Sequence, residues 1–153
     1  MSKIRWEEIA ERVNEHSYMQ GVERTVDRVA LTAEVFTPTA LVIDMLTRLP
    51  IEVLAPGQTV LDPACGDGQF LVAAKWVKVL HFGMDEQAAL CETYGIDIMR
   101  DNVDLCHRRL GGGTIVMGDA LHPGLKIPGQ TDDEHTIMLD LFSATGTQFA
   151  LFA

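Results

Sequence analysis

The chain has 153 residues, about the length of one domain with a single hydrophobic core. Hydrophobic residues make up 47% of it, which indicates a folded globular protein and excludes a disordered one. The formal net charge of −10 argues against a protein that holds nucleic acid by itself, because phosphate contacts need a basic face. No apolar run is long enough to span a membrane, and the charged N-terminus is unlike a signal peptide. Three cysteines at unrelated spacings indicate reduced thiols, so we expect a cytoplasmic protein without a metal site.

The first part of the chain is predicted to be helical. An N-terminal helical segment is expected over residues 1–33, because apolar residues recur there at helical spacing; they are Trp6, Ile9, Ala10, Val13, Val22, Val26 and Val29. A further helix is predicted with Thr37 as its N-cap and Pro38 in its first turn, ending before Pro50.

Strands then alternate with helices through the second predicted unit, residues 34–153. The predicted strands are 59–62, 94–97, 114–117 and 136–142, and the predicted helices between them are 70–80, 85–92 and 99–110. This alternation predicts an α/β fold with a mostly parallel sheet, helices on both faces and strand order 3-2-1-4.

The segment from Asp62 to Phe70 follows the first predicted strand and is the candidate ligand loop. In an open parallel sheet, ligands bind beyond the carboxyl ends of the strands. Gly66 and Gly68 allow the backbone to approach a ligand, and the following helix directs its first N–H groups at it. Leu71 replaces the third glycine of a dinucleotide fingerprint, and there is no G-K-[ST], which argues against a dinucleotide and against a P-loop.

Two more acidic residues end the next two predicted strands. Asp97 could accept hydrogen bonds from a ribose diol, and Asp119 from an adenine amino group. Three acids at one edge also suit a cationic sulfonium ligand. The simpler alternatives are that Asp97 caps the following helix and that Asp119 is a turn residue before Pro123.

Together these segments resemble the S-adenosylmethionine (SAM)-dependent DNA methyltransferases that modify the exocyclic amino group of adenine, as in restriction–modification. The run from Asp62 to Leu71 is similar to that family's D-P-x-C-G-x-G-x-F-L loop, and 35–38 to its upstream V-F-T-P element. Residues 94–98 resemble its ribose-binding strand, and 118–121 its adenine-binding G-D-A/S-L. The resemblance implies a truncated Rossmann-like SAM domain. The cofactor-binding residues that it implies are Phe36, Thr37, Pro38, Asp62, Pro63, Ala64, Cys65, Gly66, Gly68, Phe70, Asp97, Ile98, Asp119 and Ala120.

The resemblance ends after the fourth predicted strand, where the family carries a catalytic [D/N/S]-P-P-[Y/F]. That motif accepts hydrogen bonds from the target amine and stacks on the flipped base. Here the sequence reads Asp140-Leu141-Phe142, contains no Pro-Pro, and ends at Ala153 before any further strand or target-recognition region.

Several hypotheses about activity therefore stay open. The chain is a split or degenerate methyltransferase with a partner that supplies the motif, or a SAM-binding regulator or decoy without transfer. Alternatively Asp140 and Phe142 replace the motif, with the carboxylate accepting the amine and the ring stacking on a base. A last hypothesis is a subunit whose sheet edge docks a protein partner or a second copy, with Phe149 and Phe152 covering that edge or forming the contact.

Two other residues receive ordinary structural interpretations. Cys65 is interpreted as a small packing residue, because no histidine is placed by the sequence to activate it. Arg109, like Arg108, is interpreted as a favourable charge at a helix C-terminus.

Overall fold

The computed structural model of the chain describes residues 3–15, 36–143 and 149–151. Its helices are α1 (Trp6–Glu15), α2 (Thr39–Thr47), α3 (Gln69–Trp76), α4 (Glu86–Cys91), α5 (Arg100–Leu110) and α6 (Asp132–Leu141). Its strands are β1 (Thr59–Asp62), β2 (Thr93–Asp97), β3 (Thr114–Met117) and β4 (Phe149–Leu151). A 3₁₀ turn (Ile51–Leu54) precedes β1, and a π-helical turn (Val77–His81) extends α3.

All four strands form one parallel sheet in the order β3-β2-β1-β4. The register places Asp62 of β1 beside Gly95 of β2, and Asp97 of β2 beside Met117 of β3. The carboxyl ends of the three long strands therefore lie along one edge of the sheet. The predicted α/β class, the parallel pairing and the order 3-2-1 of the first three strands are confirmed.

Helices cover both faces of the sheet, as predicted. Side chains alternate between the faces along a strand. Val60 of β1 packs in a core cluster with residues of α1, α2, α3 and α5, whereas its neighbour Leu61 packs on the other face with Ile96, Val116 and Met138 of α6. The larger of the two cores thus lies under α3, the helix that follows the glycine loop.

The fourth predicted strand is wrong, because residues 136–142 belong to helix α6 and its end. Thr131 and Glu134 form a capping box, in which the Thr131 hydroxyl accepts from the Glu134 amide at 3.1 Å and the Glu134 carboxylate accepts from the Thr131 amide at 3.1 Å. Glu134 and Met138, four residues apart, are both buried, and the adjacent residues Leu139 and Asp140 are both exposed, which is the spacing of a helix face and not the alternation of a strand. The strand beside β1 is instead Phe149–Leu151.

The start of α2 also differs from the prediction. Pro38 is the N-cap residue, with φ −62° and ψ 147°, and the helix begins at Thr39. The helix thus begins one residue later than predicted, and Thr37 lies before the cap, where its carbonyl accepts from the side-chain nitrogen of Gln69 at 3.0 Å.

The N-terminal helix α1 packs on the same core as α2 and α3, through buried Ile9 and Val13. The predicted helical stretch around Val22 and Val26 and the predicted boundary between residues 33 and 34 lie outside the described residues. The division into two units therefore stays a prediction.

Side chains from the segment before α6 and from α6 itself bind the end of strand β3. The Glu134 carboxylate accepts from the Met117 amide at 2.7 Å, and the Gln130 side chain donates to the Met117 carbonyl at 2.8 Å. Arg100 of α5 pairs with the same Glu134 carboxylate. These bonds fix α5, β3 and α6 relative to one another beside the carboxyl edge of the sheet.

Candidate functional site

The loop after β1 has the positive-φ backbone that its glycines predict. Gly66 has φ +54° and Gly68 has φ +92°, values that residues with a Cβ rarely adopt. The Cys65 amide donates to the Ile96 carbonyl at 2.8 Å, which ties the loop to the end of β2. Gly68 is the N-cap of α3, so the first N–H groups of that helix open at the loop.

Phe36 lies directly against this loop. A Cβ built on Gly66 would be 3.4 Å from Cε1 of the Phe36 ring, which is ordinary van der Waals contact. The segment upstream of α2 and the glycine loop, thirty residues apart in sequence, therefore meet in the structure.

The Asp97 carboxylate at the end of β2 also binds the loop. Its Oδ2 accepts from the Gly66 amide at 3.0 Å, and its Oδ1 accepts from the Met99 amide at 2.8 Å and the Asn102 side chain at 3.2 Å. The alternative that Asp97 is the N-cap of α5 is wrong, because Met99 occupies that position. Asp97 is thus an oriented acceptor at the loop, and its predicted contact with a ribose diol stays a prediction.

The Asp62 carboxyl at the end of β1 is buried beneath the loop, with 3% exposure. Its Oδ1 accepts from the Ala64 amide at 3.1 Å. Burial raises the pKa of Asp62 to about 7, the Ala64 bond opposes this, and the nearby Asp97 charge adds to it. Two carboxyl groups of neighbouring strands therefore share one site, an arrangement that a bound cation would stabilise.

Asp119 follows β3 and makes a different set of contacts. Its Oδ1 accepts from the Leu121 amide at 3.0 Å, and Oδ2 lies 3.1 Å from His122 Nδ1; the His122 bond is the main cause of its lowered pKa. The Asp119 carbonyl also accepts from the His122 amide, so Asp119 begins a turn, as the simpler alternative predicted. The Gly118 amide donates to the Asp97 carbonyl at 3.0 Å, which places Asp119 next to the end of β2.

The remaining residues implied by the resemblance are distributed around this edge. Cys65 is buried, Pro63, Phe70 and Ala120 are half-buried, and Ala64, Pro38 and Ile98 are exposed. Phe70 packs against the main core. No bound group tests their ligand roles, which stay predictions.

Cys65 lies in the core under the loop together with Cys106 of α5. A hydrogen bond with Cys106 and burial raise the pKa of Cys65 well above its usual range, which keeps it a thiol. Its burial agrees with a packing residue and not with an activated nucleophile.

The two residues considered as a substitute catalytic motif do not lie at a strand end. Asp140 is on an exposed part of α6, and Phe142, 42% exposed, follows its last turn. The strand placement that suggested them is therefore wrong, and nothing in the described contacts joins them to the glycine loop.

Sequence reasoning missed the residues that hold the loop from behind. Arg109 was interpreted as a surface charge at the end of α5, but it is 3% exposed. It donates to the Asp67 carbonyl at 2.9 Å and to Gln69 Oε1 at 2.7 Å. The available signal was its position three residues after Cys106, which puts it beside the buried face of α5.

In the part of the chain that the structure describes, no helix is long and apolar enough to cross a membrane. The same residues include no group of three His, Cys, Asp or Glu side chains placed to hold a metal ion.

A parallel sheet with a glycine loop after β1 and carboxyl groups at or just after the ends of three neighbouring strands is the arrangement of a truncated Rossmann-like α/β domain. Within this class, the sequence profile of the family N-6 DNA Methylase matches residues 25–110, more than half of the chain. The chain therefore belongs to the N-6 DNA methylase family and is methyltransferase-like at that level. The matched span contains Phe36, the loop and Asp97, and it ends before Asp119. No curated protein matches the chain.

Proposed function

We propose that this chain binds SAM at the carboxyl edge of its sheet, with the glycine loop, Phe36 and Asp97 as the core of the site. The observation that carries the proposal is the convergence at Gly66. Its amide donates to Asp97, and the Phe36 ring lies where a side chain at this position would project. The three segments that the family uses around SAM thus meet at one loop residue.

The residues present fit the chemical groups of SAM. The bonds from Gly66 and Met99 fix the Asp97 carboxylate, so a diol would meet an acceptor already oriented for it. Asp62 and Asp97 supply negative charge for the sulfonium, and a cation there would favour the ionised form of Asp62. Asp119 follows the neighbouring strand β3, and we assign it the adenine amino group, as the resemblance implies.

SAM supplies a methyl group on a cationic sulfur that a nitrogen nucleophile attacks in line. For such a transfer the protein must orient the two reactants and exclude water more than it must remove a proton beforehand. The described residues supply the cofactor side of this arrangement. The sequence contains no Pro-Pro motif to receive the target amine.

We therefore propose that transfer to a DNA amino group involves a partner chain that supplies both the amine-binding motif and the basic surface. The net charge of −10 supports this division, because the chain offers little attraction for a phosphate backbone. Strand β4 is an outer strand of the described sheet, and its free edge is the surface we assign to that partner.

Calorimetric titration with SAM tests whether the chain binds this cofactor. Binding by wild type, and at least about tenfold weaker binding by Asp97→Asn, is expected, since 1.4 kcal/mol of lost interaction gives that factor. Asp101→Asn is the matched control, because Asp101 is an exposed acid in the first turn of α5. A folded wild-type protein that gives no heat of binding would refute the proposal.

A second candidate function is a SAM-binding regulator that performs no transfer. The placement of Asp140 and Phe142 in and after α6 favours it, since no described residue takes the role of the missing motif. Methyl transfer from tritiated SAM to unmethylated DNA, with and without co-purifying proteins, separates the two functions. Transfer that needs a second protein supports the split enzyme, and binding with no transfer under either condition supports the regulator.

A further inference from the structure

A set of polar contacts, made by the buried side chains of Arg109 and Gln69, also holds the glycine loop. The Arg109 guanidinium donates to the Asp67 carbonyl at 2.9 Å, to Gln69 Oε1 at 2.7 Å and to the Val13 carbonyl of α1 at 3.2 Å. Its Nη1 also lies 3.4 Å from the Asp67 carboxylate. Asp67 is the residue between the two positive-φ glycines, so this one side chain holds the centre of the loop.

Gln69 extends these contacts from the loop to the first two helices. Its side-chain nitrogen donates to the Thr37 carbonyl at 3.0 Å and to the Thr39 hydroxyl at 3.2 Å. The Thr39 hydroxyl in turn donates to Asn14 Oδ1 of α1 at 2.7 Å. Gln69 and Thr39 are each at most 5% exposed, so water does not compete strongly for the bond between them.

We propose that Arg109 and Gln69 are positioning residues of the cofactor site, which hold the loop in its ligand-binding form and make α1 part of the scaffold of that site. This inference rests on the proposed function, because the affinity it concerns is that for SAM. Neither residue is expected to touch the ligand.

The physical reason lies in the freedom of the loop. Two glycines at positive φ leave the free chain many alternative conformations, and ordering them on binding would lower the affinity. A guanidinium presents several donors in a fixed plane, so it can satisfy a carbonyl of the loop, a side chain of α3 and a carbonyl of α1 together. The alternative is that Arg109 only stabilises the fold as a buried ion pair with Asp67.

The first experiment compares Arg109→Met with Arg108→Met, its exposed neighbour on α5. SAM affinity is measured by calorimetry far below the unfolding midpoint, where lost stability alone leaves the affinity of the folded protein unchanged. We expect at least about tenfold weaker binding for Arg109→Met, which corresponds to 1.4 kcal/mol, and a change within about twofold for Arg108→Met. Hydrogen exchange of the Gly66 and Gly68 amides should be faster in Arg109→Met alone.

Two milder variants keep the test decisive if Arg109→Met does not fold. Thr39→Val keeps the shape of the side chain and removes the hydroxyl between Gln69 and Asn14, so binding should weaken about threefold or more. Arg109→Lys keeps the charge beside Asp67 but cannot reach all three acceptors. It should recover most of the unfolding midpoint while SAM affinity stays reduced.

The outcomes distinguish this inference from the proposed function. If wild type does not bind SAM, the proposed function fails, and amide exchange still shows whether Arg109 orders the loop. If wild type binds and the folded variants bind as tightly, with unchanged exchange at Gly66 and Gly68, the positioning role is overturned. Equal recovery of midpoint and affinity in Arg109→Lys would likewise overturn it in favour of a purely structural ion pair.

Discussion

Replacement of the buried carboxyl Asp62 by its neutral analogue should remove a pH dependence from the stability of the fold. In the folded protein its pKa is raised from 3.8 to about 7, mainly by burial. The folded state therefore holds this proton more tightly than the unfolded chain. Between about pH 4 and pH 7 the group lowers the free energy of unfolding progressively as the pH rises. The penalty is absent below the unfolded value and complete above the folded one.

The size of the effect follows from the shift. About three pKa units at 1.36 kcal/mol each give an upper value of about 4 kcal/mol. Asp62→Asn carries no titrating proton, and its amide oxygen can still accept from Ala64. The difference in unfolding free energy between this variant and wild type should therefore grow in favour of the variant from pH 4 to pH 7, by roughly 2–4 kcal/mol.

Urea unfolding followed by circular dichroism at several pH values between 4 and 8 measures this difference directly. Asp140→Asn, on the exposed side of α6, is the control and should follow wild type throughout. Because the comparison is a difference, titrating groups that do not interact with Asp62 cancel; Asp97, whose charge contributes to the raised pKa, remains part of the measured effect. Parallel curves for wild type and Asp62→Asn would show that Asp62 is not the buried, poorly solvated acid that the structure places under the loop.

Three other changes give sharp outcomes. Gly68→Ala should lower the free energy of unfolding by roughly 2–5 kcal/mol, because φ is +92° and the new Cβ would lie 2.7 Å from Cys106 Sγ. Gly57→Ala is the control, since Gly57 also has positive φ but open space around it, and it should lower that free energy by only about 1–2 kcal/mol. Equal losses would contradict the close contact. Burial raises the pKa of Glu134, but its hydrogen bonds outweigh burial and lower the pKa to about 2. The wild type should therefore lose stability relative to Glu134→Gln as the pH falls from about 4.5 to 2. Acid unfolding curves that superimpose for the two proteins would contradict this. Phe36→Ala should weaken SAM binding about tenfold in calorimetry, while the wild type keeps the higher unfolding midpoint. Unchanged affinity would show that Phe36 is not part of the site.

Much of the fold could be predicted because its signals are local. Each of the first three strands is a short, largely apolar run that ends in an acid or is followed by a glycine, and the helices after the first two strands have apolar residues at helical spacing. The role of the loop glycines could be predicted in the same way, since glycine has no Cβ and adopts positive φ readily.

The fourth strand could not be predicted from the same kind of signal. The run from Thr136 to Phe142 is apolar at most positions, and such a run fits a buried strand or one face of a helix equally well. The capping box at Thr131 and Glu134 was the local clue that decides between them, and it lies upstream of the run.

The burial of Arg109 could not be predicted from helix periodicity alone. A basic residue in the last turn of a helix is usually a surface charge. Its actual environment depends on the Asp67 carbonyl, on Gln69 and on Val13, which tertiary folding brings to it. The residues expected to contact the ligand could thus be predicted, whereas the buried Arg109 that binds the loop could not.

The side chains that bind Met117 at the end of β3 have a consequence for self-association. In a parallel sheet an outer strand presents unpaired N–H and carbonyl groups, to which another copy can add as a further strand. Glu134 and Gln130 already occupy both groups of Met117, so an added strand would have to displace two buried bonds at that point. Growth of the sheet into an open filament needs both outer strands to accept a neighbour. Blocking β3 near its carboxyl end therefore favours closed pairs over chains of molecules.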